Sequence, residues 1–145
     1  MVECIAVMKD SAVISIPSDP KYLSVIRAVV TTMGGICGMG DSAVEDVKLA
    51  VDEACANVIR HAYRGDTSRK IVVKFKVIEK RFEVVIEDSG IKAQPHLIAG
   101  RSLDDVRPGG LGIHLIKRAF DVFQFDARKK KGNRLRLVRR IGGGQ

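Results

Sequence analysis

Apolar residues recur along this chain at two periods, and each change of period marks an element. Residues 4–8 and 12–16 are short β-type runs, and Lys9-Asp10-Ser11 between them reads as a hairpin turn. Leu23, Ile26, Val29, Val30 and Met33 then repeat at helical spacing, which predicts a helix from Pro20 with Ser18 or Asp19 as its cap. The glycine-rich stretch 34–40 is expected to end that helix. Val44, Val47, Val51, Ala54, Val58 and Ala62 form the apolar stripe of a second helix over 44–63. Asp41 or Ser42 would cap it, and Glu45 would complete a capping box with Ser42. Residues 71–78 and 82–86 read as two antiparallel strands joined by Glu79-Lys80-Arg81. Residues 91–107 lack a clean period, the mark of a long loop. Leu111, Ile113, Leu115, Ile116, Ala119 and Phe120 give a third helix, and 122–125 and 135–138 read as closing strands around a basic hairpin. The order β-β-α-α-β-β-loop-α-β-β predicts an α/β (α+β) fold: a two-layer α/β sandwich, with a mixed sheet and helices on one face.

Composition narrows the class. A chain of 145 residues is expected to form a single domain, 1–145. Its 46% apolar and 29% charged content is that of a soluble globular protein. No apolar run approaches the ~20 residues that span a bilayer, so no membrane association is expected. The N-terminus shows no signal-peptide pattern, and a cytoplasmic protein is expected. Cys4, Cys37 and Cys55 form no C-x-x-C pair, so reduced thiols are expected, with Cys55 a small buried hydrophobe. The net charge of +8 is concentrated in Arg128-Lys129-Lys130-Lys131 and in Arg134, Arg136, Arg139 and Arg140. Such a stretch favours acidic partners, or it is a solvated turn beside a guarded sheet edge. No aromatics alternate with the last arginines, which counts against base stacking.

Three short motifs carry candidate chemistry. Glu53 and Asn57 lie one helical turn apart on one face. A sheltered carboxylate can act as a general base, and an amide oxygen suits Mg²⁺. Both residues also fit the wet side of an amphipathic helix. Asp88, in Glu87-Asp88-Ser89-Gly90, ends an apolar run; it can accept from the amine of adenine, while Gly90 permits close approach. Asp-Ser-Gly is equally good turn chemistry. Gly109-Gly110-Leu111-Gly112 opens the third helix, where backbone N–H groups can face an anion, and Arg107 beside it can reach a terminal phosphate. A flexible helix entry and a solvated cation are the plain alternatives. His61, His96 and His114 are too scattered for a metal triad.

In this order the motifs resemble the ATP-binding domain shared by DNA gyrase, histidine kinases and the mismatch-repair protein MutL, the GHKL or Bergerat ATP-binding fold. Within it they are most similar to the bacterial anti-sigma factor serine kinases. The first motif is Val51-Asp52-Glu53-Ala54-Cys55-Ala56-Asn57-Val58-Ile59-Arg60-His61-Ala62-Tyr63, the second Glu87-Asp88-Ser89-Gly90, and the third Gly109-Gly110-Leu111-Gly112-Ile113-His114-Leu115-Ile116. The match continues to Asp121 and to Lys131-Gly132-Asn133. The resemblance implies ATP and Mg²⁺ as cofactors. Glu53 would deprotonate a serine on an anti-sigma factor antagonist protein, and Asn57 would hold Mg²⁺. Asp88 and Gly90 would meet adenine, with Asn133 donating nearby in place of a common threonine. Gly110, Leu111 and Gly112 would line the phosphates, Arg107 would approach the γ-phosphate, and a lid would span about 91–109. It further implies a sigma factor as a binding partner and a homodimer. Lys92 stands where many relatives have the last glycine of Asp-x-Gly-x-Gly. A non-catalytic ATP- or ADP-binding module that holds a protein partner is the alternative. A nucleic-acid binder has only the net charge and the basic hairpin behind it.

Overall fold

Strand alternation sets the architecture. In the computed structural model, which describes residues 2–8, 10–93 and 111–142, six strands form one sheet in the order β1-β2-β3-β4-β6-β5. The strands are β1 (Glu3–Met8), β2 (Ser11–Pro17), β3 (Lys70–Ile78), β4 (Arg81–Asp88), β5 (Val122–Phe125) and β6 (Asn133–Arg140). Every pairing among the described residues is antiparallel, which corrects the expectation of a mixed sheet. The apolar pattern marks strands but not their neighbours. β2 and β3 pair although both long helices lie between them in sequence.

One face of the sheet is apolar. Ile14 and Ile16 of β2, Ile71, Val73 and Phe75 of β3, Phe82, Val84 and Ile86 of β4, and Leu135 and Leu137 of β6 are all buried. Successive strand residues point to opposite faces, so these alternate positions make one continuous surface. The helices α1 (Leu23–Ile36), α2 (Asp41–Asn57) and α3 (Leu111–Ala119) cover it. Ile26 and Val30 of α1, Val47 and Val51 of α2 and Ile116 of α3 join the same core. Cys55 is fully buried there, and burial pushes its thiol up to about 12. No helix among the described residues is long and apolar enough to cross a membrane.

The helix ends differ from the sequence reading in four places. Asp19 accepts from Lys21 N at 3.1 Å, but it caps a single 3-10 turn, Pro20–Tyr22, and α1 follows that turn. Helix α1 runs through Gly34 and Gly35 to Ile36. A Cβ on Gly34 would stand 2.7 Å from Val44 Cγ2, so this glycine serves close packing of α1 on α2 and does not stop the helix. Helix α2 starts after Gly40 with no side-chain cap, and Glu45 pairs with Lys48 at 3.2 Å, so the expected capping box is not formed. At its other end α2 stops at Asn57 and widens into a π turn, Val58–Ala62, closed by the bond from Tyr63 N to Val58 O at 2.9 Å.

Candidate functional site

Asp88 continues the inward series of β4: Phe82, Val84, Ile86, then Asp88. Strand alternation thus carries a carboxylate to the helix side of the sheet, where it is only 5% exposed. Its cross-strand partner is Asn133, which continues the inward series Leu137, Leu135, Asn133 of β6. The Asn133 amide donates to Asp88 Oδ1 at 3.1 Å, to Oδ2 at 3.2 Å and to the Ile91 carbonyl at 2.9 Å. Its Oδ1 accepts from Ala93 N at 2.7 Å. Asn133 therefore spends its polar atoms on Asp88 and on the chain leaving the second motif. Burial raises the pKa of Asp88, opposed by the hydrogen bonds from Gly90 N and Asn133 and by the field of Lys129. A buried carboxylate held at its edges is a specific acceptor for a donor entering the cleft.

Backbone contact fixes the turn after Asp88. Gly90 N donates to Asp88 Oδ1 at 2.8 Å, and Ile91 N donates to the Ala62 carbonyl at 2.8 Å. A Cβ on Gly90 would overlap the Ala62 carbonyl, and one on Gly132 would overlap that of Asp88. Tyr63, directly after the π turn, holds this corner from below. Its hydroxyl donates to Lys70 O at 2.5 Å and accepts from Ser89 N at 2.9 Å. The Arg69 guanidinium lies 4.7 Å above the Tyr63 ring and donates to Ser89 Oγ at 2.9 Å. Lys92 reaches the carbonyl of Lys129, tying the chain beyond the turn to the basic hairpin.

The first motif meets the third at Glu53. The Glu53 side chain is 24% exposed, so it is sheltered and does not lie on a wet helix face. A Cβ on Gly112 would overlap its carboxyl group, which places the first turn of α3 directly against it. Glu53, Asn57 and Arg60 follow at seven-residue span along one face. The Arg60 guanidinium donates from Nη2 to Glu53 Oε2 at 2.7 Å and to Asn57 Oδ1 at 2.6 Å. Below this group, Arg27 of α1 pairs with Asp52 at 2.5 Å.

These residues suit a magnesium–nucleotide. Asn57 and Glu53 present hard oxygens that already converge on one cationic nitrogen. Gly90 and Gly112 line places where a side chain would intrude. Among the described residues no three His, Cys, Asp or Glu side chains cluster, so a metal would rely on Asn57, water and the ligand's own phosphates, as Mg²⁺ commonly does. Arg107, Gly110, His96 and most of the expected lid at 91–109 lie outside the described residues, as does the side chain of Leu111. His61 is exposed.

Three residues at this site were not singled out as site residues by sequence. A buried tyrosine needs a partner for its hydroxyl, so Tyr63 had a usable signal. Arg60 had one as well, at heptad spacing from Glu53. Arg69 had none, because its contact with Ser89 depends on strand placement.

Residues 16–139 match the family model described as the histidine kinase-like ATPase domain. The serine-protein kinase RsbW of Bacillus licheniformis is 31% identical over 113 residues, covering 72% of this chain and 71% of its own. That of Bacillus subtilis is 32% identical over 114 residues, covering 73% and 71%. That of Listeria innocua is 30% identical over 125 residues, covering 80% and 79%.

Proposed function

The chain belongs to the histidine kinase-like ATPase family, in the branch that holds the RsbW serine-protein kinases, and on that premise we propose that it is an ATP- and Mg²⁺-dependent serine-protein kinase that also binds and silences a sigma factor. The observation that carries the reading is the meeting of three sequence-distant motifs around α2. Glu53 packs on Gly112, and Ala62 packs on Gly90 beside the inward carboxylate of Asp88.

In this reading residues 1–145 act as one ATPase domain, with 91–109 as its lid. Asp88 accepts from the adenine amine, and Gly90 keeps the wall of that pocket flat. Asn133 acts through Asp88 by holding its carboxylate. The start of α3, with Gly110 and Gly112, faces the phosphates, and Arg107 meets the terminal one. Mg²⁺, held by Asn57, spreads the negative charge of the phosphates when bound. Glu53 takes the proton of a serine hydroxyl on an antagonist protein. The serine oxygen bonds to the γ-phosphorus, the bond from that phosphorus to the β–γ bridging oxygen breaks, and ADP departs. A cytoplasmic homodimer that binds a sigma factor completes the proposal.

Incubating the purified protein with labelled ATP and a candidate antagonist tests the reading. Glu53→Ala is expected to lower transfer by roughly 10²–10⁴-fold while ADP binding persists. Full transfer in that variant would remove Glu53 from its role. A second reading, a nucleotide-holding module without transfer, draws support from the ion pair that occupies Glu53 and from Lys92, which stands in the second motif and is tied to the Lys129 carbonyl. ADP binding with no transfer to any antagonist would favour it.

A further inference from the structure

We propose that Arg60 is a latch that takes the place of the metal at Asn57 and locks the base, so that arrival of magnesium–nucleotide is what frees Glu53. The inference rests on the kinase reading above and adds a control to it. One guanidinium nitrogen donates to both functional oxygens, Glu53 Oε2 at 2.7 Å and Asn57 Oδ1 at 2.6 Å. Asn57 Oδ1 is the atom that would ligate Mg²⁺, and one cation already holds it. A divalent ion and a guanidinium repel each other and cannot share that oxygen at contact distance. Binding of the ion at Asn57 therefore displaces Arg60.

The displacement has a second effect. A carboxylate oxygen that already accepts a short hydrogen bond from a guanidinium is less available to a second donor. While the pair is closed, Glu53 Oε2 is occupied by the Arg60 donor, and opening the pair frees that oxygen to accept from another group. The Arg60 side chain is 49% exposed, so it has solvent to swing into. The spacing makes this a local device: Glu53, Asn57 and Arg60 share one face at i, i+4 and i+7. Its benefit is that the carboxylate is not left as an active base in an empty site.

Magnesium titration at fixed ADP, followed by the rise in melting temperature, tests the latch without any transfer reaction. In Arg60→Gln the Mg²⁺ concentration for half-maximal effect is expected to fall by roughly five-fold, the span of an exposed ion pair. Arg60→Lys, which keeps the charge, is expected to stay nearer the wild type. Melting of the metal-free variants, with half-exposed Arg60 replaced, is expected to match the wild type and checks the fold. An unchanged or higher Mg²⁺ requirement in Arg60→Gln would overturn the latch while leaving the nucleotide site standing. Wild-type protein whose ADP binding ignores Mg²⁺ would overturn both.

Discussion

Two glycines at this site differ in what they touch, and that difference predicts opposite phenotypes. A Cβ on Gly90 meets the backbone carbonyl of Ala62, which is held by the bond from Ile91 N. Backbone cannot move aside cheaply, so Gly90→Ala is expected to cost about 3 kcal/mol in chemical denaturation. A Cβ on Gly112 meets the Glu53 side chain, which can rotate away. Alanine also favours a helix over glycine, by at most roughly 1 kcal/mol in an interior and less in this first turn, which partly offsets the overlap. Gly112→Ala is thus expected to leave the denaturation midpoint within about 1 kcal/mol of wild type. Phosphoryl transfer should fall at the same time, because the displaced carboxylate no longer faces the cleft. Equal losses of stability in the two variants would contradict the geometry.

At the level of elements, the solvent face of the sheet is a charge ladder. Arg134 of β6 pairs with its cross-strand neighbour Glu87 at 2.5 Å and with Asp126 at 3.0 Å, and Lys74 of β3 adds a contact to Glu87 at 3.3 Å. Arg136 pairs with Glu83 at 3.4 Å. Burial opposes ionisation of Glu87, but Arg134 and Lys74 outweigh it and hold its pKa below the ordinary value. Hydrogen bonds from Arg128, then Arg134, depress Asp126 as well. Folded values below unfolded ones give stability that is present above about pH 4 and lost as the pH falls further. Arg134→Met is therefore expected to flatten the acid limb of a melting-temperature profile between about pH 5 and pH 2. An unchanged limb would show that these pairs do not set it. Arg134 and Arg136, two of the eight basic residues that looked like a basic surface in sequence, are thus engaged with acids on or beside the same sheet, which weakens the nucleic-acid reading.

Local pattern was a good guide to elements and a poor one to their ends and neighbours. Strand β5 lies where alternation puts it, and the stripe of α2 is buried as its period requires. Gly34 misled because a helix breaker by composition is also the residue that lets two helices touch. Asp88 and Asn133 were legible one at a time. Their pairing follows from strand order, which hydrophobic period does not encode. The π turn was invisible for a related reason: Val58, Ile59 and Ala62 are consistent with a helix that simply continues.

For the whole molecule, the site joins the helix layer to the sheet. Glu53 and Asn57 sit on α2, Gly112 on α3, and Asp88 and Asn133 on β4 and β6. A ligand spanning these groups binds the folded chain and not the unfolded one. Mg-ADP at about 100 times its Kd is expected to add roughly 2.7 kcal/mol of stability, read as a higher melting temperature. Asp88→Asn should lose most of that gain, and retention of it would place the nucleotide elsewhere.

The wide turn at Val58–Ala62 has a consequence for sequence length. It works as a phase shifter: the chain leaves α2 with one residue more than a regular helix would hold over that distance. Each residue of a regular helix turns the chain by about 100°, so removing one here would swing Tyr63 away from Ser89 and lift the Ala62 carbonyl from Ile91. Substitutions at Ile59 or Ala62 would disturb packing locally, but a single-residue deletion would misalign the whole Asp88–Gly90 corner with Glu53.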